Sequence, residues 1–399
     1  MRSSRHALPT LLLALPLLAI ACPSSDDDDG GASGTTDADT TSTPTNDGTA
    51  PDTGESADSG TSGGSDSTAT VDDTGASSGD SSGGSGEESG TTGPIVCGPP
   101  VELGVFTPTD GDARGFAVVG DTVFVAVRSG GIEAVDISDP ATPTSLGVLD
   151  FGPGELSTTI AVAGEHAYVG LRGSGWKIVD ISDPTAMLEV ASEDTNDAED
   201  VAVVGDTFFV VNSNGIRTYD VTDPTMPTEL APTLILPGAS NALVVVGDTA
   251  YVAASGGGLI SVDVSDPASP TELAVFATSA NAINLAADGT TVFVAHADGV
   301  NILDMTDPAM PVELGLYERD RAYAVAVDGA TLFVLGDDTA STQVPLLAVV
   351  DVSDPGTPTE LDISLDDFEE PYAIVFDGGR LLFTVEDDDS LHLVDPCPL

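Results

Sequence analysis

The chain has 399 residues, of which 66 are Asp or Glu and 10 are Lys or Arg, for a formal net charge of −56. Such an imbalance repels nucleic acid and anionic lipid headgroups, so the chain is no nucleic-acid binder. It favours solubility, cationic partners and divalent cations, and it also suits a saline habitat.

Three segments follow in chain order: a signal at 1–21, a tether at 22–96 and a folded domain at 97–399. The first carries Arg2 and Arg5, then an apolar run from Leu11 to Ile20, then small residues before Cys22. This is a secretory signal, shorter than a spanning helix needs. Its ending, Leu18-Ala19-Ile20-Ala21-Cys22, resembles a bacterial lipobox. That resemblance implies acylation of Cys22 and a membrane anchor. Ala19 departs from the more usual leucine, and the competing reading is a cleaved signal that leaves Cys22 free. The next stretch is Ser, Thr, Gly and Asp with no aromatic, Lys or Arg from residue 23 to 94. It cannot bury enough surface to fold, and as a coil it reaches roughly 45–50 Å.

The folded domain opens on Pro100-Val-Glu-Leu-Gly-Val-Phe106, which reads like a fourth strand that has no unit before it. Then a pattern repeats. An apolar strand ends in an aspartate at Asp136, Asp180, Asp220, Asp263, Asp304, Asp351 and Asp395, at spacings of 40 to 47 residues. Six of these continue as Ile137-Ser138-Asp139-Pro140 does, while the seventh reads Asp395-Pro396-Cys397-Pro398. Proline stops the ladder, and the Ser and Asp before it can bond the local backbone. A turn role for these aspartates therefore outweighs metal ligation.

Each unit predicts four strands, in the first at 116–119, 122–127, 131–136 and 144–149. A Gly-Asp hairpin joins the first two, and an aromatic recurs in the second at Phe124, Tyr168, Phe209, Tyr251, Phe293 and Phe333. A period near forty residues with four strands per unit predicts an all-β, seven-bladed propeller of antiparallel blades. The last unit lacks a fourth strand, so the strand at 100–106 should complete it and close the ring. Cys97 and Cys397 flank that closure, and an exported setting permits a disulfide between them. The bond would contribute on the order of 2–5 kcal/mol.

The Val-Asp-Ile-Ser-Asp-Pro turn with its preceding Tyr/Phe-Val strand resembles the LVIVD-repeat family of bacterial propeller proteins, over roughly 97–399. The resemblance implies seven blades and a secreted or cell-surface setting. It implies no single activity and no shared catalytic residues.

Aligning the innermost strands on the glycine that follows them gives Arg114, Thr158, Glu199, Asn241, Ile283, Tyr323 and Tyr372 at one ring position. Two residues earlier stand Asp112, Leu156, Asp197, Ala239, Asn281, Arg321 and Glu370. Scaffold positions repeat around the ring and these do not, which marks a funnel face for a ligand or partner. Its candidate residues are Arg114, Glu199, Asn241, Arg321, Tyr323 and Tyr372. The competing reading is plain solvation.

Glu386-Asp387-Asp388-Asp389 is the best place for calcium, with Asp337-Asp338 second, although solvated hairpin tips fit both. No cofactor is required by any motif, and no catalytic residue is assigned. His166, His296 and His392 lack ligand-spaced neighbours, and no phosphate loop or nucleophile elbow occurs in the folded part. The sequence thus predicts a non-catalytic lipoprotein of the bacterial cell envelope, at the outer membrane or cell surface, that binds an envelope or extracellular protein or glycan. The alternative is an exported hydrolase or lyase with its site in the central funnel.

Overall fold

The computed structural model describes residues 20–21, 99–194, 197–337, 345–364, 371–385 and 389–396. The chain divides into two units, Met1–Ser25 with Val96–Leu399, and Asp26–Ile95; the described residues all fall in the first. Among them there is no helix, and the strands gather into seven antiparallel sheets, six of them of consecutive strands, a β-propeller. In the first blade the strands are Ala113–Val119, Thr122–Val127, Gly131–Asp136 and Thr144–Asp150, and the next five blades repeat that order.

Two turns shape each blade. The Gly-Asp pair closes a two-residue hairpin, with Val119 opposite Thr122 and Gly120 at φ +61°, where a side chain would be strained. At the Asp-Pro turn, Asp136 Oδ1 accepts the amide of Ser138 at 2.8 Å and Asp139 Oδ1 accepts that of Ala141 at 3.1 Å. The Asp136 bond recurs at Asp180, Asp220, Asp263, Asp304 and Asp351. Hydrogen bonds from residue 138 hold the Asp136 carboxyl below its ordinary value, and the other five are lowered in the same way.

The same turn also joins blades. Its proline carbonyl accepts Thr218 Oγ1 at 2.7 Å at Pro267 and Ser261 Oγ at 2.6 Å at Pro308, in each case from the preceding blade. Where that blade carries Gly147, a Cβ would stand 2.5 Å from the Pro184 oxygen. Repetition of the turn is therefore packing as well as bending.

The core lies between blades, because each sheet has two faces and both meet a neighbour. The recurring second-strand aromatics, from Phe124 to Phe333, are all buried, and Leu382 takes that place in the last blade. Burying one such ring contributes about 1.5–3 kcal/mol. One cluster joins Leu391 and Leu393 of the last blade to Phe116 and Ile132 of the first and Ile160 of the second, across the closure.

The ring closes as the unpaired strand predicts. Val101–Phe106 lies antiparallel to Ser390–Asp395, with Val101 opposite Asp395 and Phe106 opposite Leu391. On the inner edge of that same sheet Ile20–Ala21 forms a two-residue strand, with Ile20 opposite Ile374 and Ala21 opposite Ala373. The differences from expectation are local: the closing strand begins at Val101 rather than Pro100, and the first blade's fourth strand runs on to Asp150. The first strand begins at Ala113 rather than Phe116, because its register shifts between these two residues and lets it start early.

Candidate binding site at the channel mouth

Consecutive antiparallel strands reverse direction, so the two ends of the propeller carry different connections. The Gly-Asp hairpins and Asp-Pro turns emerge at one end, with Arg380 beside a hairpin. The entries to the innermost strands and the links between second and third strands emerge at the other. There lie Arg114, Arg128, Arg172, Arg319 and Arg321, five of the eight basic residues that follow the signal.

At this end the innermost strands share a defect. Register shifts by one residue between Ser157 and Thr159, Ser240 and Ala242, Ala282 and Asn284, Ala322 and Ala324, and Pro371 and Ala373. The shift in the first blade spans Arg114. In the third, Glu199 and Asp200 both face Val211. A β-bulge leaves one residue unpaired and re-aims its side chain. The bulged residues are the ones that vary around the ring: Arg114, Thr158, Glu199, Asn241, Ile283, Tyr323 and Tyr372.

The structure brings four of the six candidate residues together in two pairs. The Arg114 guanidinium lies 3.5 Å from the centroid of the Tyr372 ring, and Arg114 is only 3% exposed. Its Nε stands 2.8 Å from Asp112 Oδ1, and Arg128 approaches the other oxygen at 3.5 Å. Asp112 adopts φ +45°, a left-handed backbone uncommon for a residue other than glycine. Burial pushes its carboxyl up, against the pull of Arg114. In the sixth blade Arg321 lies 5.3 Å from the centroid of Tyr323 and donates to its hydroxyl at 3.3 Å.

The remaining two candidates hold other positions. Asn241 donates from Nδ2 to Ser255 Oγ at 2.8 Å and to the Ala282 carbonyl of the next blade at 2.6 Å. Glu199 is half-buried, and burial raises its carboxyl while Arg172 opposes the rise. Among the described residues neither shares a hydrogen bond with either Arg–Tyr pair. Of the calcium candidates, Glu386, Asp387, Asp388 and Asp338 lie outside the described residues, as do Cys22, Cys97 and Cys397. The carbonyl of Asp389 accepts the amide of Ala113 at 3.3 Å. Among the described residues no three His, Cys, Asp or Glu gather as metal ligands.

Sequence reasoning passed over Asp200. It is fully buried, and it accepts Thr159 Oγ1 at 2.7 Å, its neighbour's amide at 2.8 Å and the Leu243 amide at 2.8 Å. One carboxylate thus ties the innermost strands of three consecutive blades. Burial pushes it up to about 7. Asn284 holds the equivalent place in the fifth blade and accepts the Val325 amide at 3.3 Å. The signal was one step along the alignment already made, where Gly115, Thr159, Asp200, Ala242, Asn284, Ala324 and Ala373 put a charge among small residues.

Two histidines resolve into structural partners. His296 Nδ1 accepts the Asp298 amide, so Nε2 donates to Asn301 Oδ1 at 2.7 Å, and burial lowers its pKa. His392 lies between Ser390 Oγ at 2.9 Å and Glu102 Oε2 at 3.0 Å, the spacing of a nucleophile, base and carboxylate. Ser390 is 0% exposed, however, so no acyl group can reach its oxygen.

The family model described as LVIVD repeat matches residues 110–150, 156–195, 196–231, 237–278, 280–319 and 345–365. No curated protein matches the chain. Among solved structures, the β-propeller domain of Cps50 (Swd1) from Myceliophteria thermophila is 12% identical, with a TM-score of 0.58, over 74% of this chain and 99% of that one. The WD40 β-propeller domain of Doa1 is 11% identical at a TM-score of 0.56, over 75% and 97%. The computationally designed Ika8 protein is 13% identical at 0.55, over 73% and 98%. At such identities the likeness is one of fold.

Proposed function

Since the chain belongs to the LVIVD-repeat family, we propose that it is a non-catalytic lipoprotein whose channel mouth binds a protein or glycan at the bacterial cell surface. The observation that carries this reading is the contrast between its two ends. One repeats the same Asp-Pro turn around the ring. The other aims non-repeating residues inward from bulged strands and holds most of the cations of a strongly acidic chain. Arginine stacked on tyrosine offers planar donors beside an apolar face, the chemistry that dominates binding hot spots.

In this reading Cys22 carries the lipid, 22–96 is the tether, and the anchor lies in the outer membrane or at the cell surface. No cofactor is required; calcium, if it acts, acts through Glu386–Asp389. The test is affinity capture of envelope components by the full chain and by an Arg114→Ala, Arg321→Ala version, with calcium and with chelator. A partner held by the first and lost by the second supports the reading. Equal capture by both places binding elsewhere on the ring, and capture by neither removes the reading.

A further inference from the structure

The innermost strand of a blade has a strand neighbour on one side only. Its other edge presents N–H and C=O groups to the central channel, and such an edge is a template for another strand. Among the described residues no strand pairs with that edge in the first six blades. In the seventh the edge is taken. Ile20–Ala21 adds to Pro371–Asp377 as an antiparallel strand, beyond the four strands of the blade. The same two residues come close to Ala113–Val119, Ser157–Ala163, Ala239–Val246 and Ala282–Asp288, the innermost strands of the first, second, fourth and fifth blades. The place common to these strands is the channel itself.

The edge that is taken suits an apolar segment. From Pro371 to Phe376 it carries no charged or amide side chain. The equivalent strands carry Arg114 in the first blade, Glu199 and Asp200 in the third, Asn241 in the fourth and Asn284 in the fifth. Ala373 packs in a cluster shared with the first blade and Ile374 in one shared with the sixth, and with the segment in place they are 0% and 2% exposed. Their side chains are thus committed to the blade interfaces, and recognition falls to the backbone. Strand addition works this way, with main-chain hydrogen bonds giving the affinity.

We propose that the channel edge of the seventh blade is a docking site for an extended apolar segment of another polypeptide, which Ile20–Ala21 fills until the signal is removed. The inference rests on the lipoprotein reading, in which the mature chain begins at Cys22. Cleavage there takes away both residues and leaves the edge bare. It deepens that reading by naming the kind of protein the channel admits, one that presents a short apolar strand.

The probe is the amidated pentapeptide Leu-Leu-Ala-Ile-Ala, the sequence of residues 17–21, labelled with fluorescein and followed by anisotropy. It is titrated with the exported chain, whose first residue mass spectrometry defines, and with the full unprocessed chain. The expected result is saturable binding to the processed chain and binding at least tenfold weaker to the unprocessed one. Methylating the amide nitrogens of the probe's Ile and final Ala keeps its apolar surface, removes its donors and should weaken binding at least tenfold. Ile20→Pro with Ala21→Pro removes the same donors from the chain's own segment, outside the blades. In the unprocessed chain this double change should raise binding to the level of the processed form. The proposal is overturned by an exported chain that keeps residues 1–21, by no saturation below about 1 mM, by equal binding to the two forms, or by no gain from the two prolines. Equal binding of the methylated probe also overturns it, and would mark a site for any apolar chain, an acyl group included. Peptide binding kept while capture of envelope components fails removes the channel-mouth reading alone. Capture that depends on Arg114 and Arg321, with no peptide binding, removes this inference alone.

Discussion

Replacing Asp200 by Asn should make the propeller less sensitive to a rise in pH from the acid range to just above neutral. The carboxyl is fully buried, and its pKa rises from 3.8 to about 7, chiefly because burial disfavours the charged form. The folded state therefore binds a proton that the unfolded state has released across that interval, so stability falls as pH rises from 3.8 to about 7. At 1.36 kcal/mol per unit the whole interval is worth on the order of 4 kcal/mol, most of it lost between pH 5 and 8. Asn is neutral throughout. Its oxygen can accept the Leu243 amide, as Asn284 accepts that of Val325, and its Nδ2 can donate to Thr159 Oγ1. Urea denaturation at pH 5 and pH 8 reads the effect. Wild type should lose on the order of 3 kcal/mol more than the variant between these two conditions. The comparison cancels the repulsion among the surface carboxylates, which both proteins share. Parallel pH curves for the two would refute the reasoning, because they would mean that Asp200 stays ionised or reaches water.

Three further outcomes follow from packing and closure. Phe208 lies 5.4 Å from the ring of Trp176 and 5.0 Å from that of Tyr168, so Phe208→Ala should cost about 3–5 kcal/mol. It should also shift the emission of Trp176, the only tryptophan, to the red. Gly147→Ala places a methyl group 2.5 Å from the Pro184 oxygen and should lower the unfolding free energy by about 1–3 kcal/mol in the same assay. Val101 stands opposite Asp395 at one end of a strand pair, and in sequence Cys97 lies four residues before the first and Cys397 two after the second. Mass spectrometry without reductant should find these cysteines bonded, and two free thiols would refute the bond.

Much of the architecture was legible because it repeats. Gly120, Asp136 and Pro140 and their counterparts report local backbone demands, a positive φ, an amide to accept and a ladder to end, and these act within a few residues. The missing fourth strand announced closure for the same reason: a sheet short of one strand leaves an edge to be paired. The sequence also located the variable ring position, since aligning the blades on one glycine is enough to separate scaffold from exception.

What lay beyond the sequence is what forms between blades. Arg114 and Tyr372 are neighbours only because the ring closes, and the bulges that turn them inward have no marker in composition. Asp200 looked like one more aspartate in a chain rich in them, until three innermost strands met around it and excluded water. The sequence alone determined the number of blades, their turns and their closure, because hydrogen bonding and φ preferences are local. The tertiary structure decided which charges lose their water and which find a partner, because desolvation depends on everything that packs around a group.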